Sequence, residues 1–411
     1  MTPQWILIII VSISTAGYLF DLVLEILNLK AQRTDIPADI ESFYDKEKYV
    51  KSLEYHKVKT KFSFLSGGFG FLLSLGMLLL GGFGYVDSLL SAYIDNQIWL
   101  ALAFFGVILV ASDILSLPFQ LWSTFVIEAR FGFNKTTVKT FIADKIKGYL
   151  LGALIGGSLL ALLIFLVNTF GPNFWIWFGL IAGVVLLLVN MFATSLILPL
   201  FNKLNVLPAG ELKTAIENFS KKVSFPLDNI FVIDGSKRSS KANAFFSGIG
   251  RKKKIVLYDT LINNHTTEEL VAVLAHEVGH FKKKHIILSF VLSVFQIFFL
   301  LFVLSLMIFN SNLSIALGGT QQAIHLNLIA FAILFSPVSG ITGLLMSLLS
   351  RKNEYEADAY ARETYSGVAL SDALKRLSVD TLSNLYPHPA YVFFYYSHPT
   401  LLQRLRALKP V

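Results

Sequence analysis

The residues best placed to do chemistry are His276, Glu277 and His280, in the run V-A-V-L-A-H-E-V-G-H at 271–280. On a helix, residues four apart lie on one face a turn apart. Two imidazoles at that spacing can converge on one Zn²⁺, with Glu277 beside them. A surface His/Glu cluster would have polar neighbours, whereas Ala275, Val278 and Gly279 are small or apolar, as in a packed helix. No other pair among the eight His has this spacing, and the chain has no Cys. A thiolate nucleophile, a disulfide framework and a Cys-ligated metal are therefore excluded. Any metal must be held by His, Asp or Glu.

Zinc hydrolases keep three protein ligands and one open position. The third ligand follows from the elements that must carry it. An apolar segment begins about six residues after His280, and another ends about five residues before Glu354. Paired as an antiparallel hairpin, the two would bring both sites to one depth. Glu354 then faces the His pair from the run S-R-K-N-E-Y-E-A-D at 350–358. Asp358, one turn further on, is placed to accept a hydrogen bond from a ligand His. Glu356 is expected to point away as a solvated helix charge, and Glu363 lies too far along.

The elements around this motif are those of a multi-pass helical membrane protein. Of the 411 residues, 54% are hydrophobic and 15% charged, against about a quarter charged in a soluble domain. Seven apolar spans are expected, at about 5–28, 62–84, 97–121, 148–169, 174–198, 286–309 and 325–349, each long enough to cross about 30 Å of hydrocarbon. Residues 30–61, 122–147, 201–285 and those after 349 hold 8, 5, 14 and 8 Lys/Arg, and the three connections between them hold none. By the positive-inside rule the N-terminus is outside or luminal, and the C-terminus and the insert 201–285 are cytoplasmic. That asymmetry accounts for the net charge of +8 without a nucleic-acid partner. Lys282, Lys283 and Lys284 read as an interfacial cluster. The first span, with no basic residues before it and no small-residue cleavage site after it, reads as a retained anchor rather than a signal peptide. Asp21 and Glu25 share a face near one end of the first span and can reach water there. Asp113, well inside the third, should face an aqueous interior.

The chain divides into residues 1–200 with five spans, a catalytic insert at 201–285, spans six and seven at 286–349, and a C-terminal catalytic segment at 350–411. In the insert, 208–223 has helical periodicity, 229–234, 242–247 and 254–258 read as strands, and 248–252 as a turn between two of them. Thr266 to Glu269 opens the metal-motif helix with capping-box character.

Together H-E-V-G-H and E-Y-E-A-D resemble the integral-membrane CAAX prenyl protease type 1 family, gluzincin zinc metalloendopeptidases. F-V-I-E-A-R-F-G-F-N-K (125–135), D-G-S-K-R-S-S-K-A-N-A-F-F-S-G (234–248), K-I-V-L-Y-D-T-L (254–261) and S-H-P-T-L-L-Q-R-L-R-A-L-K (397–409) carry the resemblance over most of the chain. It implies one Zn²⁺ per chain on His276, His280 and Glu354, with Glu277 as general base. It further implies His398 near the scissile carbonyl, Arg404 near the ligand helix, and Asn243, Ala244 and Phe245 as a strand holding the substrate peptide extended. The fold it implies is seven transmembrane helices enclosing a water-filled chamber, with a small α+β zinc protease domain on the cytoplasmic side, in a bacterial inner membrane or endoplasmic reticulum. Asp113 would then line the chamber. The expected partners are membrane lipid and peptide or C-terminal protein substrates, prenylated CAAX-type ones in the first place. Three rivals share parts of this pattern: a general membrane quality-control protease, an intramembrane zinc protease, and a non-enzymatic seven-helix carrier with a structural metal site. The second would place H-E-x-x-H in lipid, where Lys282–Lys284 are hard to bury.

Overall fold

The computed structural model describes residues 1–247 and 253–409. The apolar segments fold as long helices, because a chain crossing hydrocarbon must satisfy its backbone internally. Helices α1 (Pro3–Lys30), α2 (Lys46–Leu79), α3 (Gly82–Ser91) and α4 (Gln97–Trp122) come first, the last running on through a π-helical stretch, Ser123–Glu128. Next are α5 (Val138–Leu151), α6 (Ser158–Phe170), α7 (Phe174–Phe192) and α8 (Leu198–Phe201), joined through two more π-helical stretches and a tight turn at Gly171. Gly171 adopts φ +54° there, which a residue with a Cβ rarely does.

After the small sheet domain, α12 (His285–Met307), α13 (Ser311–Ala316) and α14 (Ile324–Ala361) return to the membrane. Among the described residues, six continuous helical stretches are long and apolar enough to cross a bilayer: Pro3–Lys30, Lys46–Leu79, Gln97–Glu128, Val138–Phe201, His285–Met307 and Ile324–Asp380. The expected spans at 148–169 and 174–198 fall in one of them, 64 residues long. Two boundaries differ from expectation. Helix α2 starts at Lys46 rather than near 62, its polar first turns carrying it beyond the apolar segment. Residues 122–147 are largely helical, so Lys139, Lys145 and Lys147 lie on α5 rather than in a loop.

The sheet domain contains β1 (Leu204–Val206), α9 (Glu211–Lys222), β2 (Leu227–Ile233), β3 (Ala244–Ser247), β4 (Lys253–Tyr258), α10 (Asp259–Asn264) and α11 (Thr267–Lys282). Strand order is β1-β2-β4-β3: β2 is parallel to β4, with Ile230 opposite Ile255, and β3 is antiparallel to β4, with Phe245 opposite Val256. Strand β3 is thus an edge. The expected turn at 248–252 lies outside the described residues. Three-residue β1, antiparallel to β2, was not anticipated, being too short for a period-two pattern. Ile216 and Phe219 of α9, Ile230, Ile255 and Leu257 of the sheet, and Leu270, Leu274 and Val278 of α11 close one core with Leu370. Leu370 belongs to α15 (Gly367–Asp380), which is followed by α16 (Pro389–Tyr395) and α17 (Leu401–Leu408).

Three local features fix the metal-motif helix in place. Thr266 and Glu269 form the expected capping box: the Glu269 N–H donates to Thr266 Oγ1 at 3.2 Å and the Thr266 N–H to Glu269 Oε2 at 3.1 Å. At the other end Lys284, at φ +61°, breaks the helix and starts α12 at His285. In between, a Cβ on Gly279 would sit 3.0 Å from Ala357 Cα of α14. A bulkier residue would hold the two helices apart.

Candidate metal centre

Helix α14 runs without interruption from the membrane to Glu354, and it packs against α11, as the hairpin argument required. One ligand atom each from His276, His280 and Glu354 lies within 4.8 Å of the others. His280 Nε2 is 3.2 Å from Glu354 Oε1 and 3.2 Å from His276 Nε2, while His276 Nε2 is 3.5 Å from Glu354 Oε2. His276 and Glu354 are buried.

The proton arrangement explains why these atoms fit a cation. His276 Nδ1 lies 2.8 Å from Asp358 Oδ1. A carboxylate there holds the ring proton on Nδ1 and leaves Nε2 a bare lone pair. That lone pair faces His280 Nε2 and the Glu354 carboxylate, so the centre of the group is rich in donor atoms. Glu354 Oε2 is buried and makes no hydrogen bond, and among the described residues the one side-chain cation beside it is the Arg404 guanidinium, at 3.3 Å. Two neutral imidazoles and one carboxylate are a donor set suited to Zn²⁺ with a position left open.

Arg404 of α17 braces the arrangement. Its Nε and Nη2 donate to Asp358 Oδ2 and Oδ1 at 2.8 and 2.6 Å, a bidentate pair, and its Nη1 lies 3.3 Å from Glu354 Oε2. His398, in the turn before α17, brings Nε2 to 3.5 Å from Glu354 Oε1, with its side chain largely open to solvent. Its other nitrogen lies 2.9 Å from Ser397 Oγ. Thr400, not His398, caps α17, so His398 is free of a helix-starting role.

Glu277 projects from α11 beside the ligand pair, and burial pushes its carboxyl above the usual range, with Glu354 adding to the rise. It lines a small apolar cavity together with Ala244, Phe245, Phe246 and Leu274. Asn243 immediately precedes the edge strand: its backbone carbonyl accepts from the Tyr258 N–H, and its Oδ1 accepts from the Ala244 N–H at 2.9 Å. The H-E-x-x-H helix packs on the sheet domain rather than inside a membrane helix, against the intramembrane reading.

Some contacts were not anticipated. Glu356 is not a free surface charge: its Oε2 lies 3.1 Å from Nε2 of buried His285, whose Nδ1 is 3.1 Å from His280 Nδ1. Asp113 is ion-paired to Lys145 at 2.6 Å and also accepts from Gln120 and Tyr149, so its compensation comes from a neighbouring helix. Asp21 and Glu25 accept from the hydroxyls of Tyr395 and Tyr391 on α16.

Comparison with known proteins agrees over nearly the whole chain. Residues 25–203 match the CAAX prenyl protease N-terminal region of five membrane helices, and residues 207–411 match peptidase family M48. CAAX prenyl protease 1 homolog of Oryza sativa subsp. japonica is 37% identical over 405 residues, covering 95% of this chain and 94% of the relative. The chain belongs to the CAAX prenyl protease 1 family of M48 peptidases. CAAX prenyl protease 1 of Saccharomyces cerevisiae is 35% identical, with 92% and 89% covered. The crystal structure of S. mikatae Ste24p superposes with TM-score 0.93 at 35% identity, covering 98% of this chain and 99% of that one. An M48 peptidase is a metalloendopeptidase, and this one is an integral membrane protein whose family employs a metal, typically zinc.

Proposed function

We propose that this M48 peptidase hydrolyses peptide bonds near the C-terminus of prenylated CAAX-type proteins or peptides, with one Zn²⁺ held by His276, His280 and Glu354. The observation that carries the reading is the convergence of three ligand atoms within 4.8 Å beside a half-buried carboxylate, Glu277. A zinc ion held there would lower the pKa of a bound water to about 7 and polarise the peptide carbonyl. Glu277 takes the proton of the attacking water and later passes it to the leaving amine. His398 donates a hydrogen bond toward the oxygen on which charge develops. Asp358 and Arg404 keep His276 and Glu354 in register.

The peptide adds to the free edge at Asn243, Ala244 and Phe245. Backbone pairing there gives affinity without demanding one side-chain sequence. The same edge strand and Glu277 line one small cavity, which supports a paired peptide presenting its scissile bond to the base. The 64-residue helical stretch crosses the bilayer twice around Gly171, giving seven crossings about a chamber. The division is residues 1–200 for crossings one to five, 201–285 for the catalytic insert, 286–349 for crossings six and seven, and 350–411 for the C-terminal catalytic segment. The Lys/Arg asymmetry supports a metal centre on the cytoplasmic side. Names of the relatives supply the prenyl part of the reading.

A cleavage assay with farnesylated and unmodified peptides of one sequence tests the substrate class. Faster turnover of the farnesylated peptide is expected. Equal rates would detach the protein from prenyl processing and favour a general membrane protease.

A further inference from the structure

Both ligand histidines have a second ring nitrogen to satisfy, and they do so differently. His276 uses Asp358 directly, at 2.8 Å. His280 has no carboxylate beside its Nδ1; its neighbour is His285 Nδ1 at 3.1 Å, and only beyond that ring, at 3.1 Å from His285 Nε2, lies Glu356 Oε2. The two rings meet edge to face, with centroids 5.2 Å apart. His285 is buried, so neither of its nitrogens is left to water.

The backbone is bent to make this possible. His280 and His285 are five positions apart, a spacing that does not face along a continuous helix. Lys284, held at φ +61°, interrupts the helix and lets the first side chain of α12 turn back onto the last turn of α11. A lysine is strained in that conformation, and a strained residue is kept where the surroundings over-determine it.

We infer that His285 and Glu356 are a positioning relay for the second zinc ligand. This rests on the zinc reading above. With Nε2 of His280 turned to the metal, its Nδ1–H donates to His285 Nδ1. The proton of His285 is then on Nε2, where it donates to the Glu356 carboxylate. Every nitrogen in the chain has one role, and no other tautomer of His285 satisfies both contacts. Three residues at alternate positions on α14 thereby serve the centre: Glu354 as ligand, Asp358 behind His276, and Glu356, by way of His285, behind His280. Because His285 opens α12 and Glu356 lies on α14, the ligand is also tied to both membrane helices that flank the domain.

Zinc affinity of the full-length protein in detergent, measured by competition with a chelator, tests the relay. Visible absorption of the Co²⁺-substituted form provides a second readout. His285→Phe keeps the ring and removes both contacts; zinc should bind about 10–100-fold more weakly and the cobalt bands should move. Glu356→Gln, whose amide oxygen can still accept from His285, should retain affinity within about threefold of wild type, and Glu356→Ala should lose more. His285→Phe with wild-type affinity and an unshifted cobalt spectrum overturns the relay. Should that variant fail to fold, equal zinc affinity in Glu356→Ala and Glu356→Gln overturns it instead. A wild-type protein that binds no zinc defeats the metal reading itself, a separate result.

Discussion

Helix α14 begins and ends in histidine–carboxylate contacts, and the two ends use them for opposite purposes. Near its start, His325 Nε2 lies 2.7 Å from Asp87 Oδ1 of α3, both side chains buried, with the imidazole ring 4.6 Å from that of Phe104. One donor meets one acceptor. Around them α3 and the turn after α13 are pressed so close that a Cβ on Gly84 would overlap the Gly318 carbonyl at 2.0 Å. Near the other end, His276 also meets a carboxylate at short range, but through the nitrogen that faces away from its partner ligands. The nitrogen that remains is a lone pair aimed at His280 and Glu354. What separates a structural tie from a candidate metal centre is therefore what the remaining nitrogen faces, rather than the presence of the pair.

Substitutions at the two ends should separate accordingly. The largest effect is expected from Glu277→Gln, which keeps the ligands and removes the base. Peptide cleavage should fall by about 10²–10⁴-fold with bound zinc unchanged, and wild-type turnover in that variant would mean that another group is the base. Arg404→Ala comes next. It releases Asp358 and the Glu354 oxygen it is ion-paired to together, so zinc affinity and cleavage should both drop by about 10–100-fold. Unchanged affinity would show that the ligands hold their geometry unaided. The smallest functional effect is expected at the far end. His325→Phe should cost about 1–3 kcal/mol of stability by leaving Asp87 unpartnered, seen as a lower Tm, while zinc content and kcat/KM of the folded fraction stay at wild-type levels. If zinc were lost as well, the two ends would be coupled and the contrast between them would fail.

The clustering of His276, His280 and Glu354 was legible in the sequence because it depends on regularities that packing does not override. Helical spacing put His276 and His280 on one face. Spans of matched depth brought Glu354 to them, and its helix continues four residues further to Asp358 without a break. Arg404 and His398 lie in a distant segment that no periodicity connects to α11, and only the family resemblance pointed to them. Glu356 points away from the ligand face as expected, yet it is paired with His285 rather than simply solvated. Two residues from Glu354, it sits across the helix from the ligand face, and a left-handed lysine in another segment is what delivers His285 to it. Lys145 and Asp113 are likewise 32 residues apart on different helices, beyond what patterning reveals. Helix α2 extends past its apolar segment because its first turns pack Tyr49 and Tyr55 against other parts of the protein, and hydropathy does not register such contacts.

Metal analysis of the purified full-length protein, wild type beside Glu354→Ala and Glu277→Gln, tests the central claim most directly. Close to one zinc per chain is expected in the wild type and in Glu277→Gln, with little or none in Glu354→Ala. Zinc retained undiminished in Glu354→Ala, or absent from the wild type, would contradict it.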